Sequence, residues 1–159
     1  MQGQATCRTE AAATFARASL DPGCIRHHVR SVERVFFVGS GVLGFLTVAF
    51  GAFGAHGLRA RFAGLADGAD RLGWWQTATL YLGLHALALG LAAHLSGRTA
   101  STAASVAGFG FLAGCALFSG SLYTMALTGV RALGAVTPLG GLCFLVGWAG
   151  VVVASLKLG

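Results

Sequence analysis

Beyond Arg71 the chain carries only three charged side chains, Arg98, Arg131 and Lys157. Each stretch between them is long enough to cross a hydrocarbon core of ~30 Å as a helix of ~20 residues. A fourth uncharged run opens at Val35 and ends before Arg59. In lipid no water is present to satisfy a bare peptide group, so runs of this length and apolarity are read as helices. Four transmembrane helices are predicted, at about 35–57, 74–95, 104–127 and 136–156. The fold class that follows is an all-α membrane protein, a bundle of four transmembrane helices.

Composition agrees: 55% of the residues are hydrophobic and 10% charged, and all five acids precede residue 72. The net charge of +6 does not point to nucleic acid, because the basic residues sit at span ends rather than in one patch with interleaved aromatics. The partner it implies is the lipid bilayer. Cys7 and Cys24 lie in the tail, and Cys115 and Cys143 fall inside spans. None has zinc spacing, so neither a metal site nor a disulfide framework is expected.

Residues 1–34 are a polar tail, mixed in charge and broken by Asp21-Pro22-Gly23. No apolar core of signal-peptide length occurs before Val35. Cys24, His27 and His28 could be drawn as a metal cluster, but three ligands in such a tail read more simply as solvated polar residues. Part of the tail is expected not to be native, since a GTG start at Val29 or Val32 would begin the chain just ahead of the first span.

Small residues recur at helical spacing along the spans. Span one carries Ser40, Gly44, Thr47, Gly51 and Gly54; span three carries Gly110 and Gly114; span four carries Gly140, Gly147, Gly150 and Ala154. In lipid, such faces let backbones approach closely, which is where helix pairs gain dispersion energy. Trp74 and Trp75 are expected at the membrane interface. Thr137 reads as the N-cap of span four, with Pro138 at the first helical position.

The candidate intramembrane polar site is His85 with Tyr81 one turn before it, Ser119 and Tyr123 on one face of span three, and His56 near the end of span one. Counting from Trp74, His85 lies about 16 Å deep, near the bilayer middle. Polar side chains at that depth are costly, so each needs a structural or functional reason. Two explanations stand for His85. It can be a neutral imidazole bonded across the bundle, or a group that titrates near neutrality along a solute or proton path. No span contains a carboxylate, and no Gly-rich phosphate loop or Ser-His-Asp set can be assembled. His56 and His85 differ in depth by roughly 12 Å, too much for two axial ligands of one haem. No catalytic residues, metal or cofactor are therefore expected.

Four motifs stand in order: Gly51-Ala-Phe-Gly-Ala-His-Gly57, Tyr81 with His85-Ala-Leu-Ala-Leu89, Phe118-Ser-Gly-Ser-Leu-Tyr123 and Leu133-Gly-Ala-Val-Thr-Pro-Leu-Gly-Gly141. Together they resemble the YgdD/YwdK-like integral membrane family, catalogued as domain of unknown function 423, over about residues 33–157. The resemblance implies a small bacterial inner-membrane protein with four spans and carries over no activity. The function expected is that of a non-enzymatic helical bundle, acting as a homo-oligomer or as a helper of another membrane protein. The alternative is a small-solute or proton-linked transporter with His85 in its path. Five basic residues on the N-terminal side against four opposite lean toward a cytoplasmic N-terminus.

Overall fold

A computed structural model describes residues 22–99 and 101–158, with side chains from residue 31. Cys24, His27 and His28, expected to be solvated polar residues, and the suspected start sites fall outside those described side chains, apart from Val32. Four helices are long and apolar enough to cross a membrane: Ser31–Phe62, Gly68–Thr99, Thr102–Thr128 and Arg131–Ser155. They are called spans one to four below. Spans one and two outrun the uncharged stretches that predict them at both ends, whereas span three lies inside its own. The helix that contains span one begins at Pro22, so residues 22–34 continue it backwards.

Spans one and two pack antiparallel with a seven-residue step. Ser40 lies against Gly90 and Thr47 against Gly83, with Gly51 next to Thr79 and Gly54 under Trp75. A seven-residue step keeps one seam facing its partner along two helices crossing at a shallow angle. Spans three and four meet more tightly. A Cβ on Gly110 would stand 3.0 Å from the Cys143 carbonyl oxygen, one on Gly147 would meet the Phe111 ring, and one on Gly150 would lie 2.8 Å from the Ala103 carbonyl oxygen. Phe144 covers Gly114, and the Phe118 backbone covers Gly140. Span two joins the pairs by packing on span three. Burial follows this arrangement: 50% of the most apolar stretch of span two is buried, against 6% in span one.

The ends are held by ordinary means. Ser101 caps span three by accepting the Ala103 N–H at 3.3 Å. That span stops at Gly129, whose φ of 76° is the left-handed conformation that glycine adopts without strain, with its N–H donating to the Met125 carbonyl at 2.8 Å. Arg71 reaches this end, pairing with Asp67 at 2.9 Å and approaching the Leu127 carbonyl at 3.5 Å, so a cation sits where the helix dipole is negative.

At the entrance of span two, Trp75 turns inward: it is 4% exposed, in a cluster with Leu58, Phe62 and Ala126, while Trp74 stays partly exposed beside Arg131. One sequence expectation needs correction. Thr137 is not an N-cap. A 3₁₀ turn, Arg131–Ala135, runs almost directly into the helix Thr137–Ser155, leaving Val136 as the cap. The Thr137 hydroxyl instead lies 2.8 Å from that of Ser121 and ties span four to span three.

Candidate functional site

Span two is buried on the face that carries Ala78, Leu82, His85, Ala88, Leu89 and Ala92. At its middle, His85 lies in an aromatic cage drawn from three spans. Its ring stacks on Phe144 with centroids 3.4 Å apart and planes 10° from parallel, and Tyr81, Phe111 and Trp148 close the other sides. Both ring nitrogens have partners, and the partners fix the tautomer. The Tyr81 carbonyl, 2.8 Å from Nδ1, can only accept, so Nδ1 carries the proton. The Trp148 indole N–H, 3.4 Å from Nε2, can only donate, so Nε2 is bare. An added proton on Nε2 would face the indole N–H, so this arrangement holds a neutral imidazole.

The remaining polar candidates are divided among other contacts. Ser119 is buried and donates to the Ala78 carbonyl at 3.0 Å, fastening span three to span two. The Tyr123 hydroxyl lies 3.0 Å from that of Thr79, and its ring packs on Trp75 and Phe50. Tyr81 is one of the more exposed residues of this group, with its ring stacked on Phe118 at 4.4 Å. His56 is exposed and no contact joins it to His85. Tyr81 and His85 are thus brought together, Ser119 and Tyr123 face the same helix further along, and His56 stands apart. Among the described residues, no three His, Cys, Asp or Glu side chains converge as a metal site.

The first motif has a structural meaning that its spelling hides. Gly54–Leu58 form a π-helical turn. In such a turn the hydrogen-bond ladder steps one residue further back, which widens the helix and leaves its backbone open to an outside donor. Trp75 lies beside this turn: its indole N–H donates to the Phe50 carbonyl, one turn earlier, at 2.8 Å, and a Cβ on Gly54 would come within 2.6 Å of its ring. A second π-turn, Cys115–Ser119, lies in span three, where Ser119 makes its bond to span two.

Of the glycines singled out by spacing, Gly110, Gly114, Gly140 and Gly147 are packed between spans three and four, and Gly51 and Gly54 lie against span two. Gly44 is the exception, with nothing within 4 Å of where its Cβ would stand. The residues that spacing misses are Trp148, Phe144 and Trp75. A depth count could have found the first, since His85 and Trp148 each lie eleven residues past Trp74 and Thr137, where spans two and four enter from the same side.

The comparisons with known proteins agree with this architecture. The profile of the family described as "Protein of unknown function (DUF423)" matches residues 50–141, which includes the first π-turn, His85 with its cage residues Tyr81 and Phe111, and the start of span four. A UPF0382 membrane protein of Staphylococcus epidermidis is 42% identical over 124 residues, 78% of this chain and 97% of its own length. YwdK of Bacillus subtilis is 39% identical over 126 residues, 78% of this chain and 98% of its own. YgdD of Escherichia coli, named as an inner membrane protein, is 42% identical over 130 residues, 79% and 92% of the two chains. No solved structure matches the chain significantly. With four membrane-length helices and near full-length relatives that are membrane proteins, the chain is a multi-pass integral membrane protein of the DUF423 family.

Proposed function

We propose that the protein is a non-enzymatic helical bundle of the bacterial inner membrane that works as a homo-oligomer or as a helper bound to another membrane protein. The observation that carries this reading is the occupancy of His85. A general base, metal ligand or proton carrier must turn one ring nitrogen toward its substrate, metal or proton path, whereas here Nδ1 donates to the Tyr81 carbonyl and Nε2 faces the Trp148 N–H at 3.4 Å. The Ser119 and Tyr123 hydroxyls are likewise engaged with span two, so the polar groups act as fasteners between helices. The E. coli relative, named as an inner membrane protein, supports this location. The basic residues on either side favour the N-terminus in the cytoplasm, so that a cysteine placed in the loop between spans one and two should label only from outside.

Native mass spectrometry of protein drawn at natural expression level into nanodiscs tests the reading. The expected result is a homo-oligomer or a stoichiometric second protein; a bare monomer would end it. The transporter alternative, with His85 in the path, makes a different demand. His85→Ala would then abolish solute or proton flux while abundance and stability stay intact.

A further inference from the structure

The seam between spans one and two does not close. Halfway between the Ser40 and Thr47 contacts, Gly44 faces open space. Around it runs a groove of about 590 Å³, with Gly44 and Gly83 along its floor, the exposed Leu84 and Leu87 on one border, and Arg59 and Gln76 at one end. That volume is within the range of small-molecule sites, about 300–1,000 Å³. On span two the lining runs from Trp75 to Leu87, about 18 Å of helix. This is slightly more than one leaflet of a ~30 Å hydrocarbon core.

The walls select the occupant. The three lining hydroxyls have all committed their protons: Ser40 donates to the Ala86 carbonyl at 2.8 Å, Thr47 to that of Leu43 at 2.8 Å, and Thr79 to that of Trp75 at 2.9 Å. Away from the Arg59 and Gln76 end, a polar solute would find no free hydroxyl donor along the wall. A further helix would need a continuous small-residue ridge, yet Ser40, Thr47, Gly51 and Gly54 already lie against span two. Hydrocarbon suits what remains. The Arg59 end differs in charge. Both acids on that side are ion-paired, Asp67 with Arg71 at 2.9 Å and Asp70 with Arg131 at 3.1 Å. Arg59 has no ion pair among the described residues, so the mouth of an apolar slot carries an uncompensated cation at headgroup level.

We propose that this groove seats one acyl chain of an anionic phospholipid whose phosphate is held by Arg59. The proposal goes beyond the assembly role above and does not rest on it. The full chain is reconstituted in nanodiscs of equimolar phosphatidylcholine and phosphatidylglycerol with identical acyl chains, and the lipids retained are counted by native mass spectrometry. The wild type should keep one phosphatidylglycerol with a preference of about fivefold, the weight of one basic side chain at a membrane surface. Arg59→Gln should bring the two lipids to parity. Gly44→Leu, which fills the slot, should abolish retention of both, whereas Gly41→Leu, equally open but outside the lining, should leave it unchanged. Equal retention of both lipids by the wild type would overturn the proposal, as would a Gly44→Leu chain that still holds phosphatidylglycerol. A second polypeptide lost on Gly44→Leu would also overturn it, by making the groove a helix seat, while leaving the assembly reading standing.

Discussion

The two helix pairs are made from the same small residues and use them differently. Between spans three and four, glycines receive aromatic rings and bare backbone: Phe111 over Gly147, Phe144 over Gly114, the Phe118 backbone over Gly140. Between spans one and two, Gly54 receives the Trp75 ring at one end, but along the rest of the seam Gly83 and Gly90 meet the short side chains of Thr47 and Ser40, and Gly44 meets nothing at all. Rings fill the space a glycine leaves; hydroxyls only bridge it. A glycine stripe therefore says that something comes close. The large residues opposite decide whether the seam closes.

This contrast can be broken by substitution, measured as unfolding in detergent or bicelles. The largest effect is expected for Gly140→Ala, whose new methyl would meet the Phe118 backbone rather than a movable side chain, at a cost of about 3 kcal/mol. A smaller cost would mean that spans three and four can slide apart. His85→Ala comes next, at about 1–2 kcal/mol, with any phenotype following protein abundance. Nitrogen-15 shifts of the intact protein should also report His85 with the proton on Nδ1, and the opposite tautomer would contradict the Trp148 contact. Trp75→Phe removes the donor at the first π-turn and should cost about 0.6 kcal/mol, with faster hydrogen exchange confined to residues around Gly54–Leu58. Gly44→Ala should change stability by less than about 0.5 kcal/mol. A larger loss would show that the open seam is closed by something the free chain lacks.

Hydropathy made the four spans legible because lipid tests every residue of a span alike. For the same reason it could not say which helix faces which. Spacing alone indicated that Gly110, Gly114, Gly140 and Gly147 lie at a close contact, and it gave Gly44 the same weight, because the missing partner ring belongs to another helix. The pairing of Trp74 and Trp75 gave no sign that Trp75 turns inward; it packs beside a π-turn, and the letters of Gly51-Ala-Phe-Gly-Ala-His-Gly57 do not announce one. Tyr81 is one turn from His85, but the partners from the other spans lie far along the chain, with Trp148 sixty-three residues away. Only the depth count from the two span entrances connects them.

Span one, with 6% of its most apolar stretch buried, bears on how the protein enters the membrane. A helix with so few fully buried residues and only one face against a partner loses little by standing alone in lipid, and it is synthesised before the other three. Span two brings His85, Thr79 and Gln76 into the bilayer and is half buried in the finished protein. When it emerges, span one already displays the Phe50 carbonyl that receives Trp75. The first helix thus acts as the template on which the costliest one is laid down, and the order of synthesis matches the order in which stable contacts become available.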